Sequence, residues 1–440
     1  MDAALRPRDE ALRGKSPMTS LRPLIPLFAA AAILLGGNGV QGTLIALRGA
    51  QEGFAPASIG LMGTAYFAGF LIGCVVVVRI LREVGHIRAF AALAAMAASG
   101  TLLLAVLVDP WSWTAIRFVS GFCFSGLFTV IESWINSGVE NRDRARVLAV
   151  YRILDLGAVT GSQFLIPVVG AGGFAIFAVI TIMITLSLVP VSLGDRSNPK
   201  PPDNVKFDLA RAWMISPLGA IGCISVGVTN SAFRTLSPIY AQQIGLSVTD
   251  VAAFVSASII GGALIQYPLG YVSDKWDRRK VLIVTSAAAL ASALALALFT
   301  GASRPANFAV VFVFGAFAMP LFSLSAAHAN DRAEAHEYVM LNAGLMLFYS
   351  IGAIFGPFTA SFVMEAFGPH SLFLFVAAVY AVFILIILYR MRVRSSVPAE
   401  ERGRFAALLR TSLIFGRLVG RTQRRGKTDD GTLQQPEKSH

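Results

Sequence analysis

The amino-acid sequence predicts an all-α polytopic membrane protein of twelve transmembrane helices, arranged as two pseudo-symmetric six-helix bundles. Three observations predict it. Of 440 residues, 55% are apolar and only 14% charged, with a mean hydropathy of +0.66, whereas ordinary globular chains carry roughly 25% charged residues. Apolar runs of about 20 residues recur from end to end, the length that crosses a hydrocarbon core of about 30 Å. A backbone in lipid must satisfy its own hydrogen bonds, and uninterrupted runs of this length do so as helices, not as barrel strands. Finally, the second half of the chain repeats the first at a nearly constant offset.

Residues 1–23 are polar and carry five Lys or Arg. A secretory signal begins in this way, but the run that follows, Leu24 to Leu47, is too long for its apolar region. An uncleaved first span with a cytoplasmic N-terminus is expected. Further spans are expected at 57–79, 86–108, 112–137, 145–167 and 170–193, completing an N-terminal bundle over 24–193. A polar linker with Pro199, Pro201 and Pro202 occupies 194–211. The C-terminal bundle, 212–392, holds spans at 213–240, 248–272, 279–300, 306–327, 338–363 and 370–389. A basic tail, 393–440, ends the chain. Within it a helix over 402–421 would place Arg410, Arg417 and Arg421 on one face, with Phe405, Leu408, Leu409, Phe415 and Leu418 elsewhere. That pattern suits a helix lying on the cytoplasmic leaflet, with a disordered basic tail as the alternative.

The charges follow the spans. With the N-terminus inside, cytoplasmic connections and tails hold 32 of the 37 Lys and Arg, and outside connections hold only Arg48 and Arg304. This is the positive-inside asymmetry throughout; both termini are expected in the cytoplasm, and the plasma (inner) membrane is the expected location. It also explains the net charge of +12 without nucleic acid, because the basic residues spread along one membrane face. Cys74, Cys123 and Cys223 fall inside apolar runs without ligand spacing and read as small core residues. Gly426-Lys427-Thr428 imitates the end of a phosphate-binding loop, but Gly420 lies one place too far away and no strand precedes it. No nucleotide, cofactor or metal is expected.

Shifting the first half by 192 residues brings Asn38 onto Asn230, Thr43 onto Thr235, Gly69 onto Gly261, Gly85 onto Asp277 and Arg88 onto Lys280. At the fifth span the offset is 190, and Pro167 falls on Pro357. Between the eighth and ninth spans lies Gly270-Tyr271-Val272-Ser273-Asp274-Lys275-Trp276-Asp277-Arg278-Arg279-Lys280, with six charged residues of both signs. Gly270 permits close helix approach, Asp274 can pair with an Arg or cap a helix, and the cations hold the turn at the cytoplasmic surface.

That spacing resembles the signature loop of the major facilitator superfamily, G-x-x-x-D-[RK]-x-G-[RK]-[RK], with Asp277 where the family has Gly. The resemblance spans residues 20–392. Within the superfamily the chain is similar to the YcaD-like branch, on Trp111–Trp113, Arg117–Gly121, Ile131–Ser133, Arg144–Tyr151 and Gly352–Pro357. The first-half loop departs from the signature: Val78 replaces the leading Gly, and Arg82-Glu83 reverses the Asp-Arg order. The Gly-Pro pair that marks many drug/proton antiporters in span five is absent there, and Gly356-Pro357 stands in span eleven instead. The resemblance implies a central cavity lined by spans one, four, seven and ten, and gating by Gly270, Asp274, Arg278 and Arg279.

Charges within a bilayer are costly and mark candidate sites. Glu132 and Arg152 lie about 7.5 Å and about 9 Å from the cytoplasmic ends of their spans, and Asp155 shares a helical face with Arg152. The three form a candidate charge relay for protons; a permanent ion pair pinning spans four and five is the alternative, and is favoured. Arg117 faces either the cavity, in a proton-coupling role that the resemblance implies, or the headgroups. Asn38 and Gln41 on span one, with Asn230 and Arg234 on span seven, are candidates for contact with a polar or anionic substrate, Arg234 foremost because it lies deepest. His328, Asn330, Asp331, Glu334, His336 and Glu337 carry the elements of a metal or proton site but straddle a turn, where solvated polar residues are the norm.

The resulting expectation is a secondary transporter of a small organic molecule, working by alternating access, coupled to protons, with efflux favoured over uptake. It binds lipid and a small-molecule substrate and works as a monomer. A facilitated uniporter, or a non-transporting receptor or assembly partner with the same fold, stand as alternatives. A membrane enzyme is disfavoured for want of a nucleophile–base or two-metal arrangement.

Overall fold

The computed structural model describes residues 24–137, 144–193, 208–299, 303–334 and 336–393, and in the tail residues 398, 402, 403 and 405. The N-terminal segment, nearly all of the linker and the expected tail helix lie outside the described residues. Every regular element among the described residues is an α-helix, apart from helical turns of 3-10 type.

Six spans fill the first half: span 1 Ile25–Gln51, span 2 Pro56–Val84, span 3 His86–Val106, span 4 Pro110–Ser137, span 5 Arg144–Ser162 with Leu165–Val169, and span 6 Phe174–Leu186 with Leu188–Leu193. The second half holds span 7 Pro217–Gln243, span 8 Val248–Lys275, span 9 Arg278–Leu298, span 10 Arg304–Ala318 with Leu321–Asn330, span 11 Tyr338–Phe367 and span 12 Ser371–Val393. Eleven of these are long and apolar enough by themselves to cross a membrane. Span 7 reaches twelve only when counted with the short helix Leu209–Ile215, which meets it at 112°. The expected start of this span at 213 is therefore corrected to Pro217. Ser216 breaks the chain direction, its hydroxyl accepting from the Gly219 amide, and Pro217 opens the new helix, where a missing N–H costs nothing.

Proline explains the other interruptions. Spans 5, 6 and 10 break at Gln163–Phe164, Ser187 and Met319–Pro320. In the first two, Pro167 and Pro190 follow within four residues, where the ring would strike the carbonyl one turn back. Pro238, Pro268 and Pro357 sit inside unbroken helices instead, as neighbouring helices in a membrane permit.

Paired glycines set the packing of each half. A Cβ added to Gly69 would overlap the carbonyl oxygen of Phe118, and one added to Gly121 that of Tyr66. In the second half, Gly261 meets the carbonyl of Phe312 in the same way, and Gly315 that of Ser258. Spans 2 and 4 thus touch backbone to backbone, as do spans 8 and 10. Gly69 and Gly261 are the residues superimposed by the 192-residue offset, so the repeat is one of packing as well as of sequence. Close approach through small residues is how helices associate in lipid, where burial of apolar surface gives no advantage over the tails.

The helix ends define two faces. Among the described residues the start of span 1, the end of span 12 and the turns at 85 and 276–277 lie on one, which we call the basic face; the opposite face carries the turns 52–55, 107–109 and 244–247 among others. Near that opposite face the halves are zipped together along spans 2 and 11. Glu365 accepts from the Ala57 amide at 3.0 Å, the Thr64 hydroxyl donates to the Ile354 carbonyl at 2.9 Å, and Gly63 lies against Thr235 and Pro357.

Candidate functional site

Between the halves lies a cavity of about 180 Å³, lined from spans 1, 2, 4, 5, 7, 8, 10 and 11. Tyr66, Phe67, Phe70, Phe128, Phe233 and Tyr349 bring aromatic rings to its walls. Asn38, Asn230, Arg234, Arg152 and Asp155 also face it, so five of the candidate residues converge in one place. Thr43 and Gln163 add a polar corner, the threonine hydroxyl donating to the glutamine oxygen at 2.6 Å.

Arg234 is exposed to the cavity space, and no carboxylate among the described residues lies within ion-pair distance of it. It also lines a narrower pocket toward the sealed face, together with Arg117, Ile59, Gly63 and Thr235. Arg117 is 6% exposed and lies among the helices. Its guanidinium lies over the Tyr66 ring, 4.2 Å from the centroid, and donates to Gln41 at 3.0 Å. Gln41 in turn donates to Thr101 at 2.8 Å. Gln41 is thus a fully buried strut linking spans 1, 3 and 4 and does not line the cavity; a side-chain amide has both a donor and an acceptor, and both are used here. The Tyr66 hydroxyl donates to Asn38 at 2.9 Å, so one ring orients both a cation and an amide.

Arg152 pairs with Asp155 at 2.9 Å, one helical turn along span 5. It also donates to Gln266 on span 8 at 3.3 Å, and Gln266 donates to Ser323 on span 10 at 3.2 Å. The pair therefore reaches across from one half to the other. Glu132 stands apart from the cavity lining: it is 1% exposed, with the Tyr151 hydroxyl at 3.5 Å. Successive residues of a helix point about 100° apart, so Tyr151 turns toward span 4 while Arg152 turns to the cavity.

The loop between spans 8 and 9 is built around Arg278, whose side chain is only 2% exposed. It bonds Asp331 at 2.6 Å, Asp274 at 3.1 Å and the Ser273 hydroxyl at 3.0 Å. Arg279 is held by Asp277 at 2.9 Å. These two arginines are buried in ion pairs and do not sit at a solvated surface, which corrects the reading of the turn as simply anchored by its cations. Asp277 has φ −60° and caps span 9 through the Arg279 amide. Its first-half counterpart, Gly85, has φ 83° and needs glycine. The second-half loop avoids that conformation, so an aspartate fits. Burial pushes the Asp277 carboxyl up, but the hydrogen bonds and charge of Arg279 outweigh it and leave it below the usual carboxylate range. Burial pushes Asp331 above that range, with Arg278 pulling against it.

The polar group after span 10 is mostly buried, not solvated. Asn330 and Asn342 exchange side-chain hydrogen bonds at 3.2 and 3.1 Å, Glu337 pairs with Arg211 on the short helix, and His328 is buried. Asn330, Asp331 and Glu337 are drawn inward by partners on other elements, while Glu334 and His336 stay exposed and pair with each other at 3.2 Å. Among the described residues no three His, Cys, Asp or Glu converge as metal ligands.

The tail returns to this loop. The Phe405 amide donates to Asp274 at 2.8 Å, the Gly403 amide to Asp331 at 3.1 Å, and Arg402 to the Trp276 carbonyl at 2.8 Å. Arg278 also donates to the Gly403 carbonyl. The Phe405 ring fills the space above Gly270 that a Cβ would occupy. Phe405 therefore packs on protein, where the sequence suggested a membrane-surface helix. Gly270→Ala should displace the ring and undock the segment, and trypsin should then cut after Arg402 about tenfold faster; an unchanged rate would contradict the docking.

Sequence reasoning missed Tyr66, Gln163 and Gln266, which are uncharged and carry no spacing signal. Their only sequence signal is a polar group inside an apolar run.

Comparison with known proteins places this geometry. A model of the Major Facilitator Superfamily matches residues 27–336 and 219–423. The chain is 26% identical over 372 residues to the Uncharacterized MFS-type transporter YcaD of Escherichia coli O81 (strain ED1a), covering 84% of this chain and 96% of that one. The same protein from Escherichia coli strain SMS-3-5 matches to the same extent. Among solved structures, the nucleoside transporter NupG superimposes with a TM-score of 0.69 at 12% identity, covering 85% of this chain and 99% of that one. A bacterial homologue of the human lysosomal transporter Spinster, inward-facing and occupied, gives 0.69 at 14% identity, with 88% and 99% covered. These two share the fold.

Proposed function

Because the chain belongs to the Major Facilitator Superfamily, we propose that it is a secondary transporter moving a small organic solute by alternating access, driven by protons, in the direction of efflux. The basic face is cytoplasmic, the membrane is the plasma (inner) membrane, and the unit is a monomer. One observation carries this reading: a cavity between two like-built halves, lined by both rings and polar groups and closed toward the far face by the contact of spans 2 and 11.

Rocking of the halves must part that seal and close the basic side. The hydrogen bond from Arg152 to Gln266 crosses between the halves, so the motion remakes it. Arg152 is also the partner of Asp155. A carboxylate's affinity for a proton depends on its cation and its hydration, and both change at Asp155 as Arg152 is pulled or released. Asp155 is the proposed proton carrier, Arg152 the residue that times it, and Glu132 a buried member of the relay.

The test uses liposomes loaded with the pH dye pyranine. Addition of a transported solute should change the internal pH, and Asp155→Asn should abolish that proton flux while solute counterflow persists. A proton flux equal to that of the unsubstituted protein would leave the Arg152–Asp155 pair as a structural clasp and favour uniport.

A further inference from the structure

Two guanidinium groups, one from each half, line the narrow pocket beneath the seal. Arg117 comes from span 4 and Arg234 from span 7. None of the residues lining that pocket is acidic. The remaining cation of the cavity, Arg152, has its charge matched by Asp155. Arg234 has no carboxylate within reach among the described residues, and the Arg117 Nε has no hydrogen-bond partner there. Two cations without a carboxylate at this depth are costly, because Arg117 loses its hydration on burial and each repels the other. A bound anion offsets both costs, and a planar guanidinium fork suits an oxyanion with two oxygens.

The space below is rich in aromatic rings. Phe67 and Tyr66 line both pockets, and Phe70, Phe128 and Phe233 continue the wall toward the basic face. A ligand with its charge at Arg234 would thus have its body among rings. Asn38, held by the Tyr66 hydroxyl, and Asn230 offer side contacts for a hydroxyl or amide substituent.

We infer that the solute is an organic anion, a carboxylate carried on a flat apolar or aromatic body, with Arg234 as its specificity-determining contact and Arg117 as the second cation. This rests on the preceding reading of the cavity as the transport site. Arg234 lines both the cavity and the pocket beneath the contact of spans 2 and 11, and so lies between the open cavity and the seal.

The test is thermal shift of the purified full chain with benzoate, 2-naphthoate, benzyl alcohol, benzylamine, acetate and chloride at equal millimolar concentration. Benzoate and 2-naphthoate should stabilise the protein, and the alcohol, amine, acetate and chloride should not. Arg234→Gln should weaken benzoate by about tenfold to a hundredfold in apparent Kd, without lowering the unliganded Tm; Arg234→Lys should recover part of the affinity. Equal stabilisation by the alcohol, the amine or chloride, no stabilisation by either aromatic acid, or full benzoate binding by Arg234→Gln would each overturn the assignment. A cysteine pair at Ala57 and Glu365 separates this failure from that of the transport reading. If the pair parts and re-forms while benzoate has no effect, only the anion assignment falls. If it never parts under any condition, alternating access falls as well.

Discussion

Replacing Gly121 by valine is expected to abolish assembly of the N-terminal bundle. An added Cβ at this position overlaps the Tyr66 carbonyl, which is backbone and cannot swing aside as a flexible side chain can. Gly69 makes the reciprocal contact with Phe118, so the two helices cannot separate at one point without losing the other. Overpacking typically costs about 1–3 kcal/mol when side chains can adjust; here a whole helix must shift, and the cost belongs at or above the top of that range. The measurement is the monodisperse fraction after extraction, followed by Tm for whatever survives. Gly315→Val, against the Ser258 carbonyl, should fail in the same way in the other half. Gly157→Ala and Gly161→Ala, where nothing lies within 4 Å, should be tolerated. A Gly121→Val protein with normal yield and Tm would disprove the backbone contact as the organising feature of spans 2 and 4.

Arg278→Ala is the second large effect. The Asp331 side chain is 4% exposed and lies 2.6 Å from Arg278. Removing one partner of such a pair leaves an uncompensated buried charge, at a cost of roughly 3–5 kcal/mol. The sign of the pH dependence follows. Burial already raises Asp331, and Arg278 is what opposes the rise, so the variant's folded carboxyl titrates higher still. A group raised in the folded state contributes most below its unfolded pKa, about 4, and that contribution is lost as the pH climbs through the folded value. The deficit of Arg278→Ala should therefore grow from pH 4 toward neutrality. Adding Asp331→Asn should recover much of it, because the stranded charge is then gone. A single variant whose loss is independent of pH, or a double variant no better than the single, would show that Asp331 is not the group left unpaired.

Much of the site was legible in the chain itself. Arg117, Asn38, Asn230, Arg234, Arg152 and Asp155 stand out because a polar group inside a span is expensive, and all six line the two pockets. Gln41 and Glu132 stood out for the same reason, yet they face other helices. The cost of burial marks a residue without saying which way it points.

The number of apolar spans and the offset between the two halves can be read in the chain alone. Both depend on runs of about 20 residues and on spacing along the chain. Which charges are matched emerges from the packed helices. Arg152 has Asp155 and Arg278 has Asp331, while Arg234 is left facing the cavity. The same packing decided that Gln266 ties one half to the other and that Phe405 covers Gly270. These outcomes depend on the rotation of each helix about its axis. In a membrane, the lipid-facing and core-facing sides are equally apolar, so the usual stripe that would announce that rotation is missing. Backbone contacts at Gly69, Gly121, Gly261 and Gly315 set it instead, and they exist only between helices already folded together.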